Sequence, residues 1–324
     1  MTDPETIILL ADIHANDVAL SAVMHDVRSR YGQRGALCIW FLGDLFGRGP
    51  EPAKVWRMLR SYHPEVMLLG NHEYGLLGWH QSIHSDVLFD GPFNPNDWHI
   101  LLIHRQHLCD LGLLILDASG KPIGGEVFDR LNDAPTVTTP RSGVYLLHGG
   151  ANRSVDDGAQ LGHAHDLVEH LVWGYVKEPH HMTQTLATLQ WLSASPPMHK
   201  GWQVTQPEPP HIMIVGHSHR RILAQLSTEG EVLWEEPVKT ETPYQYQFSA
   251  ATPLLLSPGS VGFAREQHDR KASYAVLELL NHNQCKITFH AVNYDRKSVC
   301  DTMRIQGYPE SIIRQLTLPG EDVF

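Results

Sequence analysis

The chain has 324 residues, 42% of them hydrophobic, and a formal net charge of −11 from 25 basic and 36 acidic side chains. That apolar content suits a packed core and is too high for a disordered chain, while no apolar run approaches the roughly 18 residues that span a bilayer. An acidic surface repels polyanions, which argues against non-specific nucleic-acid binding but leaves room for a small phosphorylated substrate drawn to a local cationic centre.

In chain order, the acidic N-terminus (Met1-Thr2-Asp3-Pro4-Glu5) leads straight into a strand, so no signal peptide is expected. The apolar run Ile7-Ile8-Leu9-Leu10-Ala11 reads as that buried strand, and it ends in Asp12-Ile13-His14. Two residues apart on extended backbone, the carboxylate and the imidazole point to the same side. Alone the pair is weak, because Asp-x-His also arises in turns. Residues 16–30 space Val18, Leu20, Ala22, Val23 and Val27 as a helix, closed by Gly32 and Gly35. A second apolar strand, 36–42, ends at Gly43-Asp44-Leu45-Phe46-Gly47-Arg48-Gly49-Pro50. A helix over 51–62, with Pro52 near its first turn, precedes a third strand, 66–69, which ends at Gly70-Asn71-His72-Glu73. This alternation predicts parallel strands with right-handed crossovers. In such sheets a ligand site lies off the carboxyl ends of the strands, where Asp12, Asp44 and Asn71 stand.

Two stretches, 75–142 and 151–210, read as insertions into a single domain over 1–324. The first holds a helix at 98–108 and a strand at 111–117. A strand at 144–147 follows it and ends at His148-Gly149-Gly150. The second, with helices at 164–174 and 182–193 and a proline-rich connector, is expected to form a cap that narrows access and favours small substrates. Residues 211–215 form a strand ending at Gly216-His217-Ser218-His219. Short strands at 222–226, 231–236, 253–256, 273–279 and 285–292 predict a second, more antiparallel sheet, and two short helices flank Pro309. The four cysteines (Cys38, Cys109, Cys285, Cys300) are widely spaced without a CxxC, and Cys38 is expected as a buried thiol. A reducing cytoplasm fits that usage.

With 22 histidines, position must separate ligands from bystanders. His104, His107, His163, His165, His180 and His181 lack a carboxylate in register and read as surface or cap residues. Trp173, Tyr175, Trp191 and Trp202 read as cap core. Arg153 and His163, which follow the His148 loop, are candidates to reach substrate.

Five strand ends carry ligand-type residues in the order D-I-H, G-D-L-F, G-N-H-E, H-G-G and G-H-S-H. This order resembles the metallophosphoesterase superfamily, also called calcineurin-like phosphoesterases. Ser257-Pro258-Gly259-Ser260-Val261-Gly262 and the stretch 270–276 resemble its small prokaryotic branch, which includes diadenosine tetraphosphatase-like proteins. The likeness spans 6–74, 143–150 and 211–292. It implies an α/β fold, a four-layer α/β/β/α sandwich in which two mixed sheets are flanked by helices. It also implies a dinuclear centre, with Asp44 bridging, Asp12, His14 and His219 on one ion, and Asn71, His148 and His217 on the other. Oxygen and imidazole donors suit manganese, iron or zinc, with manganese favoured. Two such ions about 3.5–4 Å apart screen the phosphate charge and turn a bridging water into hydroxide near neutral pH.

By the same resemblance His72 is the catalytic histidine, stabilising charge or protonating the leaving oxygen. Arg48 is a catalytic and substrate-binding phosphate clamp, because a guanidinium meets two phosphate oxygens at once. Glu73 is expected to cap or buttress the helix it begins. The protein Ser/Thr phosphatase branch has G-D-x-x-D-R-G at this point, with its second Asp orienting the histidine. Here Gly47 replaces that Asp, which leaves the partner of His72 open and weakens a protein-phosphatase reading. The expected function is hydrolysis of a phosphate ester on a small molecule or nucleotide. The alternatives are a protein Ser/Thr phosphatase, a non-catalytic binding scaffold, against which the filled ligand set argues, and a structural metal protein.

Overall fold

The computed structural model describes residues 4–34, 37–79, 93–151, 164–205, 207–266 and 269–317. The opening alternation is present. β1 (Glu5–Leu10) leads to α1 (Asp17–Tyr31), β2 (Cys38–Phe41), α2 (Pro52–Ser61), β3 (Val66–Met67) and α3 (Asn71–Leu77). β1, β2 and β3 pair in parallel, with Ile8 opposite Ile39 and Trp40 opposite Val66. Asn16 caps α1 by accepting from Ala19 N at 3.0 Å, as a short polar side chain does at a helix start.

Segment 75–142 contributes α4 (Pro95–Asp110), a small ladder of β4 (Ile115–Leu116) and β5 (Pro122–Gly124), α5 (Glu126–Asn132) and β6 (Val137–Arg141). The strand expected over 111–117 shrinks to β4, and α5 and β6 are additions to the sequence reading. β7 (Val144–Leu147), α6 (Ala164–Trp173), α7 (Pro179–Ala194), β8 (Trp202–Gln203) and β9 (Ile212–Ile214) follow. The C-terminal part holds β10 (Arg221–Leu226), β11 (Val232–Trp234), β12 (Pro243–Gln247), β13 (Leu254–Pro258), β14 (Ala272–Asn281), β15 (Gln284–Val292), α8 (Arg296–Ile305) and α9 (Glu310–Ile313).

The strands form two mixed sheets, ordered β12-β15-β14-β1-β2-β3 and β11-β10-β13-β9-β7-β6-β8. The C-terminal strands therefore do not make a sheet of their own. β14 pairs antiparallel with β1 in the first sheet, and β13 pairs parallel with β9 in the second. β12 escaped the sequence reading because Pro243-Tyr244-Gln245-Tyr246-Gln247 is half polar; its tyrosines alternate inward against the core and its glutamines outward.

The two sheets pack face to face through Ile7, Leu9, Trp40 and Leu277 from one and Leu146, Ile212, Ile214 and Leu256 from the other. α1 and α2 cover the outer face of the first sheet. α6 and α7 cover the outer face of the second, with Leu171, Met182 and Leu189 against Tyr145, Met213 and Leu255. This is the four-layer α/β/β/α sandwich. The helices expected as a cap thus form its fourth layer, because their apolar stripes bury against β7 and β9. Cys38 is half-buried, not buried, since it is the first residue of β2, and its thiol donates to Glu65 at 2.9 Å. Among the described residues no helix is long and apolar enough to cross a membrane.

Candidate metal centre

Six parallel strands from the two sheets deliver their carboxyl ends to one place. The loop after β1 carries Asp12 and His14, the loop after β2 carries Asp44 and Arg48, and β3 delivers Asn71 and His72. The loops after β7 and β9 carry His148 and His217/His219, and the loop after β13 carries Ser260. Backbone bonds tie these loops together: Asp12 N donates to Gly43 O at 3.0 Å, His14 N to Asp44 O at 2.9 Å and Gly216 N to His148 O at 2.7 Å. Asp12, His14, Asp44, Asn71, His72, His148, His217 and His219 are all at most 6% exposed.

Their donor atoms fall into two groups. Asp12, His14, Asp44 and His219 form one, and Asp44, His148 and His217 form the other; within each the atoms lie inside 4.8 Å of one another. Asp44 belongs to both. Its Oδ1 is 3.3 Å from His148 Nε2, and its Oδ2 is 3.6 Å from His14 Nε2. The Asn71 amide faces acceptors: His217 Nδ1 at 3.1 Å, His148 Nε2 at 3.2 Å and Asp44 Oδ2 at 3.1 Å. Turned one way its nitrogen satisfies them; turned the other, its oxygen completes a cage of donor atoms for a cation. Asp12 Oδ2 is buried without a hydrogen-bond partner among the described residues.

Second partners set the imidazoles for the same task. Nδ1 of His14, His148 and His219 lies 2.9, 2.7 and 2.7 Å from the carbonyl oxygens of Phe46, Leu42 and Phe263. Carbonyls only accept, so each Nδ1 holds a proton and each Nε2 is the ring atom turned inward. The Nε2 lone pairs of the neutral His14 and His219 rings face each other at 3.0 Å. The residues present fit divalent ions.

The backbone is strained to achieve this. Asp12, His14, Asp44, Arg48, His217 and His219 all have φ between 49° and 60°, six of the nine non-glycine residues so placed among those described. Such conformations cost of order 1–3 kcal/mol each and gather where a site over-determines the chain. Electrostatics agrees. Burial pushes the Asp12 carboxyl up to about 8. Burial also works to raise Asp44, but His148 and His72 beside it hold that carboxylate well below its usual range. Burial opposes charge on His148, yet Asp44 outweighs it and lifts that imidazole to about 9. Burial above all keeps His14, His217 and His219 neutral and well below their usual range.

His72 sits beside the centre, its Nε2 4.0 Å from Asp44 Oδ2 and its ring edge-on to His14 at 4.6 Å. Its Nδ1 has no hydrogen-bond partner among the described residues. Gly47, with φ +81°, explains this. The ring lies so close over it that a Cβ there would run into Nδ1, so the position leaves no room for an orienting carboxylate. Arg48 is 7% exposed; one guanidinium nitrogen bonds Gln315, another meets Asp97 at 3.2 Å, and Nε has no hydrogen-bond partner among the described residues. Arg153 and His163 lie outside the described residues.

Four residues at the site exceed the sequence reading. Glu73 does cap α3, accepting from Gly70 N at 2.7 Å, but it also accepts from Asp44 N, Leu45 N and Phe46 N at 2.8, 2.9 and 3.2 Å. Tyr175, expected in cap core, packs on His217 with ring centroids 4.1 Å apart and the ring planes tilted by 37°. Arg265 is bound to the site through its backbone, N to His219 O at 3.0 Å. His104, expected at the surface, is fully buried behind the Arg48 loop. Its Nδ1 accepts from Gly47 N at 3.1 Å and its Nε2 donates to Gly49 O at 2.8 Å, so it clamps both neighbours of Arg48. The i+3 spacing of His104 from Leu101 was the available signal, since both lie on the buried face of α4.

His104→Ala should cost about 1–3 kcal/mol of stability, because it leaves the buried Gly47 N–H unpaired; urea unfolding measures it. Burial pushes His104 down to about 3. The unfolded value is about 6.5, so between these the unfolded chain binds more protons. The His104 contribution is therefore complete above pH about 6.5 and erodes as pH falls toward 3, a slope that His104→Ala should lose.

Residues 5–221 match the family model described as calcineurin-like phosphoesterase. An uncharacterized protein of Methanocaldococcus jannaschii is 38% identical over 72 residues, 22% of this chain and 28% of that protein. A protein of Thioalkalivibrio sulfidiphilus named symmetrical bis(5'-nucleosyl)-tetraphosphatase is 32% identical over 114 residues, 35% of this chain and 34% of its own. The chain thus spans about a third or less of these curated relatives. A solved metallophosphoesterase from Sphaerobacter thermophilus superposes with a TM-score of 0.61 at 21% identity, covering 97% of this chain and 98% of that one, which is a likeness of fold.

Proposed function

The chain belongs to the calcineurin-like phosphoesterase family, and on that premise we propose that it hydrolyses phosphate esters at a pair of divalent metal ions. The observation that carries this is Asp44, the carboxylate common to both donor groups. Asp12, His14 and His219 would complete the site of one ion with it, and Asn71, His148 and His217 that of the other. When bound, the ions supply Lewis acidity and screen the negative charge of the phosphoryl group.

The chain's own residues supply the rest. The Nδ1 bonds keep the imidazoles presented, and Glu73 holds the Asp44 loop at its backbone. His72, buried and pushed below its usual range by that burial, faces the reacting group as a neutral imidazole whose N–H stabilises developing charge. Once it has taken up a proton as imidazolium, it passes that proton to the leaving oxygen and returns to the neutral form. A nucleotide is the favoured substrate. The relatives' tetraphosphatase names support it, as does the aromatic wall in which Phe93 touches His72 at 5.3 Å and Trp173 at 5.1 Å.

The test is elemental analysis of protein purified without chelators, together with hydrolysis of an aryl monophosphate and a bis-aryl phosphate with added manganese. About two metal ions per chain and manganese-stimulated turnover are expected; no metal and no turnover would leave a binding scaffold. His72→Ala should lose about 10²–10⁴ in turnover, the usual worth of a positioned proton donor, while metal content stays the same. Loss of metal in that variant would move His72 into the ligand set.

A further inference from the structure

The loop after β13 folds back over the centre. Gly262 N and Ser260 Oγ both donate to Asp12 O, at 3.0 and 2.8 Å, and Phe263 O receives His219 Nδ1 at 2.7 Å. Arg265 follows with its N–H on His219 O. Its backbone is therefore pinned to the loops of two candidate ligands, Asp12 and His219, and its side chain starts from there. That side chain is half-buried and makes no hydrogen bond or ion pair with the described residues. Neighbouring cations are occupied: Arg221 meets Glu266 at 3.4 Å, and Arg48 meets Asp97 and Gln315. Burial dominates the environment of Asp12, His217 and His219, but each also feels the Arg265 charge, as does Arg48. The guanidinium thus stands within electrostatic range of both donor groups and of a second guanidinium. Two like charges within range of each other repel, and an anion bound between them relieves that repulsion.

We infer that Arg265 binds phosphate oxygens of the substrate at this centre, the task that the sequence pattern assigns to Arg48; this rests on the phosphoesterase reading. Arg48, anchored by Asp97 and Gln315, stands as the fixed second cation, with its Nε–H the donor left without a partner among the described residues. A planar guanidinium gives Arg265 two parallel donors for two phosphate oxygens, which a lysine lacks.

Equilibrium dialysis of radiolabelled inorganic phosphate, on protein incubated with manganese, tests this, with metal content measured on the same samples. R265Q should bind phosphate at least about tenfold more weakly than wild type at unchanged metal content. R265K should fall between the two, because it keeps the charge and loses the fork. If R265Q does not fold, R265K carries the test, with affinity expected at least about threefold below wild type. Wild-type affinity in the variants, loss of metal together with phosphate, or a wild-type protein that binds no phosphate each overturns the inference. Phosphate binding that depends on Arg265 in a protein that hydrolyses neither aryl ester overturns the proposed function and leaves the role of Arg265 standing.

Discussion

Asp44→Asn should give a folded protein whose turnover is reduced more than about a hundredfold and whose metal content is below wild type. Losing an outer partner of a metal ligand already costs 10–100-fold in affinity or activity, and Asp44 is the carboxylate that both donor groups share. The substitution is nearly isosteric, so packing is kept; the side chain is 1% exposed and its Oδ1 still can accept from His72 N, 3.0 Å away. What disappears is the negative charge that His148, His72 and His14 surround. The backbone should tolerate the change, since asparagine is among the residues that accept the left-handed conformation found there, φ 59°. Elemental analysis and steady-state hydrolysis on the same preparation decide it. A variant that keeps full metal and more than a tenth of wild-type turnover would remove Asp44 from the shared position.

Glu73→Gln should destabilise the protein by about 2–6 kcal/mol. Its two carboxylate oxygens accept four backbone N–H groups, Gly70 and Asp44 on one, Leu45 and Phe46 on the other. An amide keeps one acceptor oxygen and places a donor against the remaining pair, and each buried N–H left unpaired costs about 1–3 kcal/mol. Against a total stability of about 5–15 kcal/mol, this is a large fraction. Because the orphaned groups include the N–H of Asp44 itself or of its two successors, metal retention should fall along with stability. Urea unfolding and elemental analysis measure both. A change below about 1 kcal/mol would show that the loop holds without the carboxylate.

The two variants separate two kinds of information in the chain. The strand-end residues were legible because each closes an apolar run. Strands buried on both faces are continuously hydrophobic, so Asp12, Asp44, Asn71, His148 and His217 stand out as polar residues at their carboxyl ends. The helix-capping part of Glu73 was legible for a similar reason, since a cap acts over three residues of chain. Its hold on Asp44, Leu45 and Phe46 was not, because those N–H groups are 27–29 residues away along the chain. The same distance problem hid His104, whose partners are Gly47, Gly49 and Tyr308.

The sequence by itself thus determined the strand-helix alternation and the order of the candidate ligands, both set by local periodicity and by residue chemistry at strand ends, whereas the two mixed sheets followed from the family resemblance. Only the tertiary structure decided how the C-terminal strands divide between the sheets and that α6 and α7 form an outer layer. It alone brought Tyr175 and Arg265 to the centre and anchored Arg48 to Asp97 and Gln315. The physical reason is that a strand's alternation tells which face it buries but not which strand it pairs with. Nor does a polar side chain's identity tell which distant backbone or charge it will meet; packing of the two sheets settles both.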